Sequence, residues 1–138
     1  MVVSGNQISV GEGVLEEVNK EGPAISKRGG IFVAQANSPL KFVGWCFDDK
    51  KGLSLPSKVI TLLVIEYATQ KEYRLEARRF KRPDVSVNYG NRALETCGFN
   101  CEALPKALPP GLYLVEAIQH MARGEVRTVL GNGLLALL

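Results

Sequence analysis

The sequence predicts an all-β protein: an antiparallel β-sandwich of about seven or more strands, with a short helical crossover near residues 83–95. Three observations predict this class. Short runs of alternating apolar and polar residues recur along the chain, turns rich in Gly and Pro separate them, and one long alternating hairpin occupies the centre. The 138 residues suit one domain. We therefore expect a single domain over residues 1–138, with a loosely ordered segment at 1–13.

Before the central hairpin, the chain contains two weaker strand candidates and one stronger candidate. The runs GVLEEVNKEG and GGIFVAQANSP are predicted to be short strands bounded by Gly and Pro. Residues 40–47 form the stronger candidate, in which Val43, Trp45 and Phe47 share one face. The Asp-Asp-Lys-Lys-Gly run that begins at Asp48 predicts the turn that follows.

The central hairpin has the clearest pattern. Both faces of residues 59–67 are largely apolar, which indicates a strand in the middle of a sheet. Residues 68–70 are predicted to turn, and from Tyr73 apolar side chains alternate with charged ones of both signs. A helix would distribute those charges around its circumference, whereas a strand places them on one solvated face. The second strand should end by Lys81, because Pro83 cannot donate a ladder hydrogen bond.

Residues 78–99 are predicted to cross between the two sheets of the sandwich. After Pro83, the Asp84 side chain is suited to accept hydrogen bonds from the next backbone N–H groups, as the N-cap of a short helix does. Gly90 should end this helix, because glycine adopts the left-handed conformation that terminates helices. A second short turn follows, and Phe99 begins the next strand.

The C-terminal region fits two structures. Apolar residues recur at helical spacing from Leu112 to Ala122. Gly124 and the Gly131-Asn132-Gly133 run, however, divide the region into pieces of hairpin length. We favour three strands here, and the choice between helix and strand for residues 112–122 stays open.

Composition narrows the classes of partner. A net charge of +3 is too small to indicate a nucleic-acid-binding surface, so no nucleic acid partner is expected. No apolar run is long enough to span a bilayer, and no secretory signal follows Met1, so we expect no membrane insertion and a cytoplasmic location. The three cysteines match no usual metal pair, and we expect no cofactor.

The order of several short motifs resembles a known kind of module. GWCFDD, an apolar strand, a charged strand, RRFKRPDV, CGFNCEAL and LPPGLYLVEAI follow one another over about residues 14–138. This order resembles a β-sandwich accessory module found beside glycosyltransferase and methyltransferase domains in bacterial surface-polysaccharide proteins. Cys46 takes the position of a small Ala in that pattern. The matching positions are structural: Trp45, Asp48, Pro83, Asp84 and Phe99. The resemblance implies an accessory role in polysaccharide biosynthesis and supplies no catalytic residue.

The arginines around the proposed crossover are the main candidates for ligand binding. Guanidinium groups match oxyanions two hydrogen bonds at a time, so Arg78, Arg82 and Arg92 form a candidate site for an acidic sugar or a nucleotide sugar. Tyr73 and Tyr89 join this set as aromatic side chains near the surface. The alternative is that these arginines are solvated or pair with neighbouring carboxylates, as exposed charges usually do.

Three functions remain open. The leading hypothesis is a non-catalytic accessory domain that binds or positions a carbohydrate or a polysaccharide-assembly partner; Trp45, although able to stack on a sugar, is expected to be a buried core anchor. The second is a protein-interaction or dimerisation domain, as a homodimer or within a parent protein, that uses a sheet edge or the LLALL end. The third is a cysteine/histidine hydrolase using His120 with Cys97 or Cys101. No spacing brings that pair together, so we do not expect an enzyme.

Overall fold

The computed structural model describes residues 12–19, 24–26, 29–47, 60–101, 108–121 and 124–138. These residues form nine β-strands, one α-helix and one short 3-10 helix. The strands are β1 (Glu12–Val18), β2 (Ala24–Ser26), β3 (Gly29–Ala34), β4 (Phe42–Phe47), β5 (Ile60–Glu66), β6 (Glu72–Phe80), β7 (Gly98–Cys101), β8 (Gly111–Met121) and β9 (Gly124–Leu137). The helix α1 spans Pro83–Tyr89 and the 3-10 helix spans Arg92–Leu94. The predicted all-β class is confirmed.

The sheet closes on itself. Its hydrogen-bonded order is β1-β4-β7-β6-β5-β8-β9, and β9 pairs in parallel with β1 through Gly131 and Val14. β3 pairs in parallel with the last residues of β9, and β2 follows β3. The structure is therefore a seven-stranded barrel with a two-stranded extension, where the sequence predicted a two-sheet antiparallel sandwich. Alternation cannot distinguish the two, because each gives every strand one inward and one outward face.

The tail contains two strands where three were predicted. Residues 111–121 are the strand β8, which decides between the helix and the strand left open by the sequence. The Gly131-Asn132-Gly133 run is not a turn between strands but an irregularity within β9: Leu134 pairs with Leu114, and Val129 pairs with Glu116. Residues 130–133 thus stand opposite a single residue of β8. This irregularity lets β9 contact β8, β1 and β3 in succession.

The barrel interior is filled by apolar side chains from every barrel strand. The largest of them are fully buried: Leu15, Phe42, Leu62, Phe99, Tyr113 and the Phe32 of β3. Gly44 lies beneath Phe99, where a Cβ would come 2.7 Å from the ring. Near one end of the interior, Arg79 Nη1 donates to the carbonyl oxygens of Cys46 and Cys97, both at 2.8 Å, and its Nη2 donates to Gln119 Oε1 at 2.9 Å. The Arg79 guanidinium thereby links β6 to β4, to β8 and to the segment just before β7, and it has a structural role.

The segment between β6 and β7 is a hairpin connection and not the predicted crossover between sheets. β6 and β7 are neighbours, with Arg79 paired to Phe99, so the chain leaves the barrel and returns to the adjacent strand. Arg82, not Asp84, occupies the N-cap position of α1, because Pro83 is the first helical residue. Gly90, at φ +63°, ends the helix as predicted.

Helix α1 packs against the outside of the barrel. Its buried Val85 joins Leu94 and Cys97 in a second apolar cluster around Phe47, an outward residue of β4. Within the described part of the chain, no helix has the length and apolar character needed to cross a membrane.

Candidate functional site

A cleft of about 330 Å³ lies between α1 and the outer face of β1 and β4. Its lining residues are Glu16, Trp45, Arg82, Asp84, Val85, Asn88 and Tyr89. Two residues predicted to bind a ligand, Arg82 and Tyr89, therefore meet two residues predicted to be structural, Trp45 and Asp84.

Glu16 reaches the cleft because β1 is irregular at this residue. Leu15 pairs with Gly44 and Glu17 pairs with Val43, so Glu16 has no partner on β4. An extra residue of this kind forms a β-bulge, which redirects its side chain and often occurs beside functional sites. Here the bulge directs the Glu16 carboxylate to Arg82.

Trp45 forms the aromatic wall of the cleft. It points outward from β4, is half-buried, and stacks on Phe47 with ring centroids 5.6 Å apart and planes at 16°. The Tyr89 ring lies at 65° to the Trp45 ring, with a centroid distance of 6.0 Å. Trp45 is thus not the buried core anchor that the sequence predicted. Both faces of β4 are apolar, so alternation alone did not indicate which face would line the barrel.

Arg82 holds two carboxylates at once. Its Nε and Nη2 donate to the two oxygens of Asp84 at 2.9 and 2.8 Å. Its Nη1 and Nη2 donate to the two oxygens of Glu16, with Nη2 at 3.1 Å from Oε2. One N–H of Nε, one of Nη1 and two of Nη2 are thereby used, of the five that a guanidinium carries. The alternative of local pairing is the one that the structure supports for Arg82.

These contacts shift the pKa values of Arg82 and Asp84. The hydrogen bonds from Arg82 lower the pKa of Asp84 to about 2. The hydrogen bonds to Asp84 and Glu16 raise the pKa of Arg82 above its usual value. Arg82 and Asp84 are therefore both charged at neutral pH.

Tyr89 is fixed by an acidic residue at the start of β1. Its hydroxyl donates to Glu12 Oε2 at 2.6 Å. This hydrogen bond, with some burial, raises the pKa of Tyr89 to about 12. The phenol is neutral at physiological pH, and its ring is held as the second aromatic wall.

The other predicted site residues lie elsewhere. Arg78 is exposed on the outer face of β6, and Arg92 is exposed on the 3-10 helix. Tyr73 faces the barrel interior near the β5–β6 turn, with its ring centroid 6.3 Å from that of Tyr113 and 5.2 Å from Lys71 Nζ. Of the structural positions, Pro83 begins α1 and Phe99 is fully buried, while Asp48 lies outside the described residues.

The cysteines and the histidine have different surroundings. Cys46, Cys97 and Cys101 are buried thiols, and burial raises the pKa of Cys46 and Cys97 to about 11. His120 Nε2 lies 3.0 Å from Thr61 Oγ1, and its Nδ1 lies 3.4 Å from Glu125 Oε2. Within the described segments, no three or more His, Cys, Asp or Glu side chains come together in a group that could hold a metal ion.

Sequence reasoning missed Glu16 and Asn88. A bulge depends on the register of the partner strand, so the sequence around Glu16 gave no signal. For Asn88 the sequence did contain a signal, because positions 84, 85, 88 and 89 recur at helical spacing and share one face of α1. The short helix predicted between Asp84 and Gly90 already places Asn88 beside Tyr89 and Asp84, although Asn88 was not named as a site residue.

Comparisons with known proteins add nothing to this description. No family model, curated protein or solved structure matched the chain. The function is therefore argued from the cleft and from the sequence resemblance described above.

Proposed function

We propose that this chain is a non-catalytic domain that binds a carbohydrate in the cleft between α1 and the β1–β4 face. The observation that carries the proposal is the meeting of two aromatic walls, Trp45 and Tyr89, with the oriented carboxylates of Glu16 and Asp84. A pyranose ring presents a flat C–H face that suits an aromatic surface, and hydroxyl groups at its rim that donate to carboxylates.

The size of the cleft fits a small ligand. Its volume of about 330 Å³ is near the lower end of the range for small-molecule sites, about 300–1,000 Å³. A monosaccharide or the end of an oligosaccharide suits that space. Asn88, exposed at the rim, adds an amide that can both donate to and accept from hydroxyl groups.

The carboxylates favour binding over glycoside hydrolysis. A glycosidase needs one carboxyl group that stays protonated near neutral pH as the general acid. Asp84 has a pKa of about 2 and shares Arg82 with Glu16, so it is ionised and fixed in place. It is suited to accept hydrogen bonds from a ligand rather than to deliver a proton.

The wider role is an extension of the sequence resemblance. As an accessory module of cytoplasmic surface-polysaccharide assembly, the domain would hold a sugar chain or its carrier near a separate catalytic domain. The motif order from GWCFDD to LPPGLYLVEAI supports this part of the proposal.

Chemical-shift mapping with a panel of neutral oligosaccharides tests sugar binding. We expect saturable shifts confined to the amides of β1, β4 and α1. Asn88→Ala, at an exposed rim position, should weaken binding, and Trp45→Leu should weaken it more. Arg92→Gln is the matched control, because Arg92 is exposed and does not line the cleft. Thermal unfolding checks that each variant is folded; absence of shifts with every sugar would refute the proposal.

A second candidate, an interaction domain, is favoured by an apolar patch on the outer face of β3, β8 and β9. Val33 and Leu112 are both exposed and are both paired with Ala136 in the sheet, and Leu134 is exposed on the same face. Leu135 and Leu137 point into the barrel instead. Only half of the LLALL end is therefore available to a partner.

Light scattering separates this candidate from the first. A stable dimer that Leu134→Lys converts to a monomer would favour self-association through this patch. Val129→Lys is the control, because Val129 is a more exposed apolar residue of β9 that pairs with Glu116, across the irregularity at residues 130–133 from Leu134. A monomer at all concentrations would argue against a homodimer.

A further inference from the structure

We propose that the cleft selects sugars that carry a protonated amine, and that it discriminates against acidic sugars and sugar phosphates. This inference rests on the proposed carbohydrate binding and names the chemical class of its ligand. It reverses the expectation, based on the arginines in the sequence, of an anionic ligand.

The charge of the lining is the first reason. Among its described residues, Glu16 and Asp84 are acidic and Arg82 is basic, which leaves an excess of one negative charge. Glu12 lies directly behind Tyr89 and adds another carboxylate. The exposed basic residues Arg78 and Arg92 do not line the cleft. A cation entering here meets an attractive field, and an anion meets a repulsive one.

The engagement of Arg82 is the second reason. Four of the five N–H donors of a guanidinium are already used by Glu16 and Asp84. Arg82 could bind a phosphate or carboxylate through two hydrogen bonds only if Glu16 or Asp84 were displaced. Asp84 accepts from Arg82 and also from backbone N–H groups of Asp84 and Val85. Glu16 is less committed, because each of its oxygens accepts one bond from Arg82 and retains a second acceptor position. The site can therefore accept further hydrogen bonds but has few N–H groups left to donate. An ammonium group only donates hydrogen bonds, so it suits such a site.

The arrangement of the rings is the third reason. The Trp45 and Tyr89 planes meet at 65°, and both residues line the same cleft as Asp84. A cation close to aromatic rings is stabilised by their π-electrons, most strongly by Trp. The sugar ring of an amino sugar can stack on Trp45 while its ammonium group lies towards Asp84 and the rim.

Isothermal titration with matched oligosaccharides tests this selectivity. The probes are glucosamine oligomers with free amines, the same oligomers fully N-acetylated, and galacturonate oligomers of equal length, at low salt and a pH that keeps the amines protonated. We expect the free-amine oligomers to bind about tenfold tighter than the acetylated ones, which is about 1.4 kcal/mol, and the galacturonates not to bind. The advantage should shrink with added salt, because the charges are near the surface.

Charge-removing variants identify the group responsible. Asp84→Asn keeps the shape of the side chain, and in this variant the free-amine oligomer should bind no tighter than the acetylated one. Arg78→Gln should leave both affinities unchanged. Equal affinity for free and acetylated oligomers, or measurable binding of galacturonate, would overturn the inference and leave carbohydrate binding in place. Failure of all three probes to bind would overturn the proposed function as well.

Discussion

At the scale of single residues, Gly44 is the described glycine that leaves the least room for a side chain. A Cβ there would lie 2.2 Å from the carbonyl oxygen of Val14 and 2.7 Å from the ring of Phe99. We expect Gly44→Ala to lower the free energy of unfolding by about 1–3 kcal/mol, as overpacking typically does. Urea denaturation measures this change. Gly131→Ala is the control, because its Cβ would meet nothing nearer than 3.4 Å; similar losses for the two variants would contradict the packing argument.

The hydrogen bond from Tyr89 to Glu12 predicts a loss of stability in strong alkali. The pKa of Tyr89 is raised from 10.0 to about 12, so the neutral phenol stabilises the folded protein. This contribution is complete below pH 10 and is lost as the pH rises through 12. Tyr89→Phe should therefore show a smaller decline of unfolding free energy between pH 10 and 12 than the parent. Part of the decline should remain, since burial also raises the pKa of Tyr113 to about 12.

The buried thiols should be unreactive in the folded protein. Alkylation requires the thiolate, and the pKa of Cys46 and Cys97 is about 11. With iodoacetamide at pH 8, mass spectrometry should detect little modification of the native protein and modification of all three cysteines in denaturant. Rapid labelling of native Cys97 that is slowed in a His120→Ala variant would instead revive the hydrolase hypothesis.

At the scale of elements, Arg82 joins α1 to β1. Arg82→Gln would leave the Glu16 and Asp84 carboxylates facing each other without their shared cation. We expect a loss of about 1–2 kcal/mol, between the values for exposed and buried ion pairs. Hydrogen exchange should accelerate in α1 while β5 and β8 stay protected. Unchanged exchange in α1 would show that the apolar cluster around Phe47 holds the helix by itself.

The elements that could be predicted are those whose signals are local. The β5–β6 hairpin and the end of α1 at Gly90 follow from alternation and from one left-handed glycine. The strand-internal position of Asn132 could not be predicted in the same way, because Gly-Asn-Gly suits both a hairpin turn and a bulge. Only the register with β8 distinguishes them. The predicted N-cap, Asp84, was also wrong. Pro83 is the first helical residue, which places Arg82 at the N-cap position, and the Asp84 carboxylate pairs with Arg82 instead of capping the helix.

At the scale of the whole molecule, closure of the sheet into a barrel could not be predicted from the sequence. Inward and outward faces were assigned correctly for β6, yet a barrel and a sandwich bury the same alternating residues. The closing contact joins Val14 to Gly131, which are far apart in the chain and belong to parallel strands. The sequence predicted part of the cleft: Arg82 and Tyr89 were named, and pairing of Arg82 with a neighbouring carboxylate was the stated alternative. Glu16 was missed, because it reaches Arg82 from a bulge.

Helix α1 lies in the connection between two neighbouring strands, so its part of the proposed binding cleft is separate from the barrel. β6 and β7 would still be adjacent if a shorter loop joined them, since their pairing does not pass through the helix. The face of α1 that carries Asp84, Asn88 and Tyr89 can therefore change without altering the closed sheet, provided that Val85 still covers Phe47. Under the proposed function, exchange of this one short stretch of chain would change the ligand while the barrel stays the same.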